Sequence, residues 1–402
     1  MLHKAYQNLH DLIHATYLIS DKGIIKLLCA AVVAHRLPSQ PVWLFLVAGS
    51  SGGKSVLLSM LQDIQGIIEI DSLTTQTFIS GARKGTGAEP SLLLRMKNGI
   101  LTIKDFTTLL SMPKDTRAEI MGQLRKVYDG DFSKSFGTGQ SITWKGKMSM
   151  IAGVTTAIYT KGAQYSSMGE RFIMYKMDMP DRITLAKRAL SNVSTIDMKQ
   201  RKIDIRKVAK HYLDECIDYT IQMMPKVSDE TVNDIISLTN IATLARSAVE
   251  RDNYTPNKDI EFKHDAELPM RFAEQILVLA SALIVMNGDG DLTGDDKQIL
   301  YKIILDSINT KKRVVLRTLL RNDTVTTKDM AIRLDYPTPT ISRALQELNA
   351  FGIVNRIAGS GSKGDLWELK DEYRQVLLRF ENVEEEVVVE KEEETPFDIF
   401  DE

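Results

Sequence analysis

A stretch near the N-terminus combines residue types that can bind phosphate. The apolar run Val42–Val47 predicts a buried strand, and an apolar helical pattern starts at Val56. Between them lies a loop rich in glycine and serine that ends in Lys54 and Ser55. Strand, glycine-rich loop, Lys-Ser and helix in that order form a P-loop. The loop residues whose backbone N–H groups would point at phosphate oxygens are Gly49, Ser50, Ser51, Gly52 and Gly53.

In a P-loop, the lysine and the hydroxyl residue after it have different tasks. Lys54 would reach the β- and γ-phosphates, and the Ser55 hydroxyl would bind Mg²⁺. The N-terminal end of the following helix adds partial positive charge. We therefore predict that the chain binds ATP and Mg²⁺. The alternative is a plain connection between a strand and a helix.

A P-loop triphosphatase also needs a carboxylate at the end of a second strand, for the metal or for the attacking water. Residues 99–103 predict such a strand, and Lys104 and Asp105 follow it. Asp105 is therefore our candidate for this role, either as a ligand of Mg²⁺ or as the group that polarises water. The alternative is an ordinary acidic residue at a strand end.

Two further residues extend this set. Met148–Val154 predicts a strand that ends at Thr155, whose hydroxyl could contact the γ-phosphate or the attacking water. Arg171 stands just before an apolar segment, and an arginine there can stabilise charge on ATP bound by a neighbouring subunit. Arg171 is a candidate for this role because it follows the P-loop and the two strands along the chain.

Alternating residues on both sides of a Gly-Thr-Gly tip predict a β-hairpin over 131–145. Lys134 lies near the tip of this hairpin, where it could grip DNA phosphates if the hairpin projects into a pore. The alternative is a structural hairpin at the edge of the sheet.

Residues 311–370 predict three helices followed by a pair of strands around a glycine-rich basic loop. This pattern is similar to a winged helix-turn-helix, whose third helix reads DNA. Lys363 in the wing would contact phosphates. The alternative is a unit that contacts protein only. The residues of the third helix expected to reach DNA are Thr338, Thr340, Ser342, Arg343 and Gln346.

Composition places the chain among ordinary soluble globular proteins. It has 402 residues, of which 43% are hydrophobic and 26% charged, enough for two to three domains. Its two cysteines, Cys29 and Cys216, are far apart and lie outside any CxxC pattern, which predicts neither a disulfide nor a zinc site and favours a reducing cytoplasm. The N-terminus lacks the apolar core of a signal peptide, and the longest apolar run, Ile276–Met286, is too short to span a bilayer. We predict a cytoplasmic protein with no membrane partner.

The net charge of −2 hides an uneven distribution. Residues 371–402 hold 13 acids and 3 bases, whereas residues 1–370 hold 40 acids and 48 bases. The basic charge of residues 1–370 is typical of proteins that bind a polyanion. The acidic tail, with an apolar tip at Pro396–Phe400, predicts a segment that binds a protein partner. The alternative is a solvated surface with an unstructured terminus.

The predicted fold class is α/β, with a P-loop nucleotide-binding core, which the resemblance given below makes an AAA+ core, then a helical lid, a winged helix-turn-helix and a disordered acidic tail. Strand and helix patterns alternate up to about residue 180, and the strand signal then disappears. The predicted units are a helical segment at 1–35, the core at 36–180, the lid at 181–310, the winged helix at 311–370 and the tail at 371–402.

These pieces, in this order, resemble the AAA+ module of the MCM replicative helicases, and more closely the MCM-like helicases of bacterial mobile elements and phages. The resemblance covers about residues 40–290. The matching segments are Leu44–Ser55 for the P-loop, Gly99–Phe106 for the Gly-x-x-x-Ile-Asp-Glu-Phe segment, 131–145 for the pre-sensor hairpin, Glu170–Phe172 for the arginine finger, Leu244–Ala248 for the sensor-2 arginine at Arg246, and Glu267–Arg271 with Gln275 for the lid motif.

The resemblance implies an ATP-dependent helicase that works as a homo-oligomeric ring, a hexamer in that family, on single-stranded or forked DNA. It places Lys104 at the usual Asp and Asp105 at the usual Glu. It implies that Arg171 and Arg246 act on ATP held by a neighbouring subunit. Partners such as a primase or an initiator would be recruited, with the acidic tail as a candidate contact. A helicase loader or an ATP-controlled DNA-binding regulator are the alternatives.

Overall fold

The computed structural model describes most of the chain. Among the predicted site residues, Ser51 and Lys363 lie outside the described residues, as do Glu170 and the tail from 382 onward. The described residues are 2–50, 52–80, 91–137, 139, 141–161, 171–195, 197–219, 225–252, 254, 258–288, 290–359 and 364–381.

A parallel sheet of five strands forms the centre of the molecule. Its strand order is β2-β3-β6-β1-β7, and every described pairing in it is parallel. The prediction of a mixed α/β fold is thereby confirmed. The strands are β1 (Trp43–Val47), β2 (Ile67–Ile70), β3 (Gly99–Ile103), β6 (Met148–Val154) and β7 (Ile173–Lys176).

Strand β1 is apolar throughout because both of its faces are covered. Its alternate side chains enter two different hydrophobic cores: Leu44 and Leu46 point to one face, and Trp43 and Phe45 to the other. The first core also contains side chains of α2 (Ile24–Arg36), α3 (Lys54–Ser59) and the helices between residues 198 and 306, and the second contains side chains of the helices between residues 92 and 128. The helical segment predicted for 1–35 therefore contributes α2 to the core of the sheet.

The helices are α1 (Leu2–Thr16), α2 (Ile24–Arg36), α3 (Lys54–Ser59), α4 (Leu92–Met96), α5 (Thr107–Leu110), α6 (Lys114–Tyr128), α7 (Arg182–Thr195), α8 (Met198–Asp218), α9 (Asp229–Arg246), α10 (Met270–Met286), α11 (Gly294–Asp306), α12 (Thr310–Leu320), α13 (Thr327–Leu334), α14 (Thr338–Ala350) and α15 (Asp371–Glu381). Within the described ranges, no helix combines the length and the apolar character needed to cross a bilayer.

The predicted hairpin over 131–145 is confirmed. Strands β4 (Asp131–Ser135) and β5 (Ser141–Lys145) pair antiparallel. Phe132 and Trp144 face each other across the hairpin and are both buried, and the Trp144 indole N–H donates to the Lys97 carbonyl at 2.9 Å. The base of the hairpin is thus fixed to the sheet beside the start of β6.

Two segments differ from the sequence prediction. Residues 181–310 were expected to lack strands, but β8 (Val249–Arg251) and β9 (Ile260–Lys263) form an antiparallel pair there. Their side chains are mostly exposed, so the apolar alternation that marks a strand is missing from the sequence. The acidic tail was expected to start at 371, but residues 371–381 form α15, which buries Leu377 in the core.

The C-terminal unit has the elements predicted for it. Helices α12, α13 and α14 precede an antiparallel sheet of three strands in the order β10-β12-β11. The two longer strands, β11 (Val354–Ile357) and β12 (Leu366–Leu369), flank the glycine-rich loop, and β10 (Val325–Thr326) pairs with β12. The Trp367 indole N–H donates to the Thr327 hydroxyl at 2.9 Å, which joins this sheet to the start of α13.

Candidate functional site

Three strands of the sheet end at one edge with polar residues. Because the strands run parallel, the carboxyl ends of β1, β3 and β6 meet there, and this edge is where ligands bind in open α/β sheets. The loop after β1 is the predicted P-loop, Asp105 follows β3, and Thr155 follows β6. The sheet therefore brings the predicted P-loop, acid and sensor residues together.

The P-loop depends on two glycines for different reasons. Gly53 has φ +79°, a left-handed conformation that disfavours a side chain. Gly52 is closely packed, because a Cβ atom there would lie 3.0 Å from the Ala48 Cβ and 3.2 Å from the Met179 Cε. The backbone of this loop can thus approach an anion where side chains would block it.

Lys54 begins α3 and points back into its own loop. Its Nζ donates to the Ala48 carbonyl at 2.8 Å and to the Gly49 carbonyl at 2.7 Å, and the residue is only 8% exposed. Burial lowers the pKa of this ammonium, and the charge of Asp105 partly opposes that shift. A phosphate entering the loop would meet a cation held by two neutral carbonyls that it can replace.

Gly153 on β6 sets the distance between the P-loop and the acidic strand. A Cβ atom there would lie 2.5 Å from the Lys104 carbonyl and 3.5 Å from the Lys54 Cβ. The Phe106 N–H donates to the Gly153 carbonyl at 2.8 Å and fixes the chain just after Asp105. Only a glycine leaves room for these two segments to converge.

Thr107 joins the two other polar strand ends, and the sequence analysis missed it. Its N–H donates to Asp105 Oδ1 at 2.9 Å, which holds that exposed carboxylate in place. Its hydroxyl accepts the Thr155 N–H at 2.9 Å and lies 3.4 Å from the Thr155 hydroxyl. The pattern Asp-x-Thr is typical of a turn in which the Asp side chain caps a backbone N–H, and that signal would have pointed to Thr107.

Lys104, which stands where the resemblance expects an acid, does not face an open site. Its Nζ lies 2.6 Å from Glu69 Oε1 on the neighbouring strand β2, and the same oxygen accepts the Gln62 amide at 2.7 Å. The ammonium is therefore held toward the edge strand of the sheet. Strand β2 is separated from β1 by β3 and β6, so this pairing directs the lysine away from the P-loop strand.

ATP and Mg²⁺ fit the residues at this edge. A Cβ atom at Gly53 would meet nothing within 4 Å, and Gly53 has a left-handed backbone, so phosphate oxygens have room beside this part of the loop. Ser55 in the first turn of α3 and Asp105 are both exposed and offer oxygen ligands, which Mg²⁺ prefers. Among the described residues, no group of three or more His, Cys, Asp or Glu forms a separate metal site.

Arg171 lies at the other end of the strands, two residues before β7 begins and away from the edge that carries the P-loop. Its Nη2 is 3.0 Å from Asp129 Oδ1, and the guanidinium lies 5.4 Å from the centre of the Tyr128 ring. Its carbonyl accepts the Gln275 amide at 3.2 Å. A strand the length of β1 spans about 16 Å, so Arg171 cannot reach the P-loop of its own chain.

Arg246 ends α9. It pairs with both carboxylate oxygens of Glu267, at 2.7 and 2.6 Å, and lies 4.3 Å from the centre of the Phe272 ring. Asp129 and Glu267, which hold Arg171 and Arg246, line one surface groove. The structure thus places the acidic partners of the two predicted trans-acting arginines in one groove.

Lys134, the predicted DNA contact of the hairpin, is held by other residues of the chain. Lys134 is half-buried, donates to the Thr75 carbonyl at 3.0 Å and lies 3.7 Å from Glu119. On α14, Thr338 is exposed and Thr340 is half-buried.

Arg251 of β8 covers the later part of α14. It donates to the Arg343 carbonyl at 3.0 Å, to the Gln346 amide oxygen at 3.0 Å and to Glu347 at 3.0 Å. Glu347 also pairs with Lys312 of α12 at 3.0 Å. The sequence analysis placed Gln346 on an open face, but this contact with β8 engages it.

No protein-family model matches this sequence, and no curated protein is significantly similar to it.

The Thr107 hydroxyl should matter for turnover rather than for binding. Thr107→Val keeps the backbone N–H that holds Asp105 but removes the hydroxyl that holds Thr155. We expect kcat for ATP hydrolysis to fall about tenfold through misplacement of these groups, with little change in ATP affinity. Steady-state hydrolysis and fluorescent-nucleotide binding measure the two quantities. Thr107→Ser is the matched control and should recover most of the rate; equal losses in Thr107→Ser and Thr107→Val would contradict the assignment.

Nucleotide binding should take up protons at alkaline pH. Burial lowers the pKa of Lys54 in the free chain, whereas phosphates beside it would favour the charged form and raise that pKa. Between these two pKa values the complex holds more protons, so ATP affinity falls as pH rises through this window. Calorimetric titration with MgATP in two buffers of different ionisation enthalpy measures the uptake. Lys54→Arg stays charged and should show none; equal uptake by that variant would refute the role of Lys54.

Proposed function

We propose that this chain is an AAA+ ATPase that assembles into a ring and moves DNA, as an MCM-like helicase of a bacterial mobile element or phage would. One observation carries the proposal. The P-loop with Lys54, Asp105 and Thr155 lies at one edge of the sheet, and Arg171 lies at the other. An ATP site that uses all four residues needs two copies of the chain.

Each residue then has a task in phosphoryl transfer. Lys54 leaves its two loop carbonyls and contacts the β- and γ-phosphates, and Ser55 would hold Mg²⁺, which neutralises phosphate charge when bound. Asp105, fixed by the Thr107 N–H, orients and polarises the attacking water. The Thr155 hydroxyl, held beside Thr107, contacts the γ-phosphate or that water.

The arginines supply charge from the neighbouring copy. Arg171 would leave Asp129 and stabilise the charge that develops as the γ-phosphoryl group is transferred. Arg246 would be released from Glu267 in the same way. Because each arginine already has an acidic partner, this proposal predicts low activity for a single copy and full activity after assembly.

DNA is the proposed substrate for motion. The hairpin β4–β5 projects from the edge where β6 begins, and Lys134 would exchange the Thr75 carbonyl for a DNA phosphate. We propose that the C-terminal unit, with three helices and a three-stranded sheet, works as a winged helix and adds Thr340, Arg343 and Lys363 as DNA contacts. We propose that the protein works in the cytoplasm with partners such as a primase or an initiator, possible contacts of the acidic tail.

Two observations favour a second candidate function, a helicase loader. Lys104 replaces the acid expected next to Asp105, which would slow turnover. Arg251 also occupies Gln346 on the helix that would read DNA. Both features suit a protein that binds ATP to change its assembly rather than to drive a fast motor.

Complementation between two inactive variants tests the shared ATP site. Lys54→Ala removes the phosphate contact, and Arg171→Ala removes the arginine given to the neighbour. Each variant alone should have little ATPase activity. An equal mixture should recover about a quarter of the wild-type rate, because about a quarter of randomly formed interfaces pair an intact P-loop with an intact arginine.

The control mixture pairs Lys54→Ala with a chain that carries both substitutions, and it should stay inactive. Full activity of Arg171→Ala alone would mean that a residue other than Arg171 supplies the positive charge from the neighbouring copy. Thermal unfolding midpoints of the single variants check that loss of the Arg171–Asp129 pair has not unfolded the chain.

Strand displacement on a forked DNA separates the motor from the loader. With MgATP, the wild-type chain should unwind the fork, and Lys54→Ala should not, because it cannot couple ATP to motion. ATP binding and assembly without unwinding would favour the loader. Sequence-selective binding of duplex DNA that requires no hydrolysis would favour the regulator.

A further inference from the structure

Helix α7 presents an open apolar stripe. Ile183 is 65% exposed and Leu190 is 72% exposed, and Ala186 lies between them at helical spacing and is also exposed. A contiguous apolar face of this kind marks an interaction site more often than a free surface.

The stripe is held firmly beside the P-loop. Arg188 donates to the Ala15 carbonyl at 2.6 Å, and Asn192 donates to the Thr16 carbonyl at 2.7 Å, so α7 is tied to the end of α1. Met179, three residues before α7, reaches within 3.2 Å of the Cβ position of Gly52. Helix α7 therefore extends the edge of the molecule that carries the ATP site.

A second open apolar patch lies at the opposite edge. Leu268 is 71% exposed and Met270 is 67% exposed, and both border the groove lined by Asp129 and Glu267. The groove therefore combines apolar borders with the two acids that hold Arg171 and Arg246.

The charges of the two surfaces are complementary. Helix α7 contains three basic residues and no Asp or Glu, and two of the three, Arg182 and Lys187, are exposed. The groove is lined by three acids, Asp129, Glu267 and Glu274, against one base. Two α7 helices packed against each other would instead bring six basic residues together, which disfavours a two-fold interface.

We propose that α7 of one copy docks in the groove of the next copy, with Ile183 and Leu190 against Leu268 and Met270. The contact joins unlike surfaces, so it repeats head to tail and can close a ring. This contact rests on the proposed function, in which Arg171 of one copy must face the P-loop of the next. Docking of α7 brings the groove, and Arg171 beside it, toward that P-loop. Docking also offers basic side chains of α7 to Asp129 and Glu267, the acids that Arg171 and Arg246 must leave.

Cross-linking between two single-cysteine variants tests the contact in the full-length chain. Leu190→Cys and Leu268→Cys are mixed and treated with a short bismaleimide. Native Cys29 and Cys216 are fully buried, so the engineered thiols react first. We expect a cross-linked dimer in the mixture and little in either variant alone. Leu190→Cys mixed with Ile332→Cys is the matched control, because Ile332 is 70% exposed but lies on α13.

Sedimentation of Leu190→Asp with and without MgATP gives the energetic test. Self-association should weaken at least about tenfold, while binding of a fluorescent ATP analogue is kept. Ile332→Asp should behave as wild type.

Each other outcome has a distinct meaning. Cross-linking of either variant alone would replace the head-to-tail contact with a two-fold one. Assembly that neither cross-links nor responds to Leu190→Asp would overturn this inference and leave the ATPase proposal intact. A wild-type chain that stays monomeric would also overturn it. Cross-linking by a chain that fails to bind ATP would retain the contact and refute the ATPase proposal.

Discussion

The convergence of three parallel strands at Gly153 is the constraint on which the rest of the site depends. Parallel strands end at one edge, but they bring side chains into contact only if their backbones can approach closely. Gly153 permits this, since the Lys104 carbonyl and the Lys54 Cβ occupy the space beside it. Once β3 is held there by the Phe106 N–H, Asp105 follows at a fixed position. Thr107 then fixes the Asp105 carboxylate and the Thr155 backbone together.

The same parallel sheet keeps other functional groups apart. Arg171 precedes β7 and Asp105 follows β3, so they lie at opposite ends of the strands. The two halves of the proposed ATP site therefore lie at opposite ends of the strands, and one copy could not complete it. Assembly is thereby a requirement of the proposed chemistry, and a head-to-tail contact satisfies it with one repeated interface.

The cations of the proposed site share one electrostatic feature. Each is held by oxygen in the isolated chain: Lys54 by loop carbonyls, Arg171 by Asp129 and Arg246 by Glu267. A partly buried cation without such a partner would destabilise the fold. A phosphate therefore competes with an existing partner, and its gain in binding is smaller than that of a free cation. In the proposed function, this exchange of partners would make activity depend on assembly.

The sequence by itself determined the local features. Apolar runs ending in polar residues identified β1, β3 and β6, and the glycine, lysine and serine pattern predicted a phosphate-binding loop after β1, because these signals depend on neighbours along the chain. Strands β8 and β9 escaped detection because they are short and exposed, and α15 because its charges masked an apolar side that buries Leu377. Only the tertiary structure decided that Lys104 pairs with Glu69, that Arg251 covers α14, and that the acids paired with Arg171 and Arg246 line one groove. Those contacts join residues far apart in sequence, so their partners are fixed by packing of the sheet and helices rather than by local pattern.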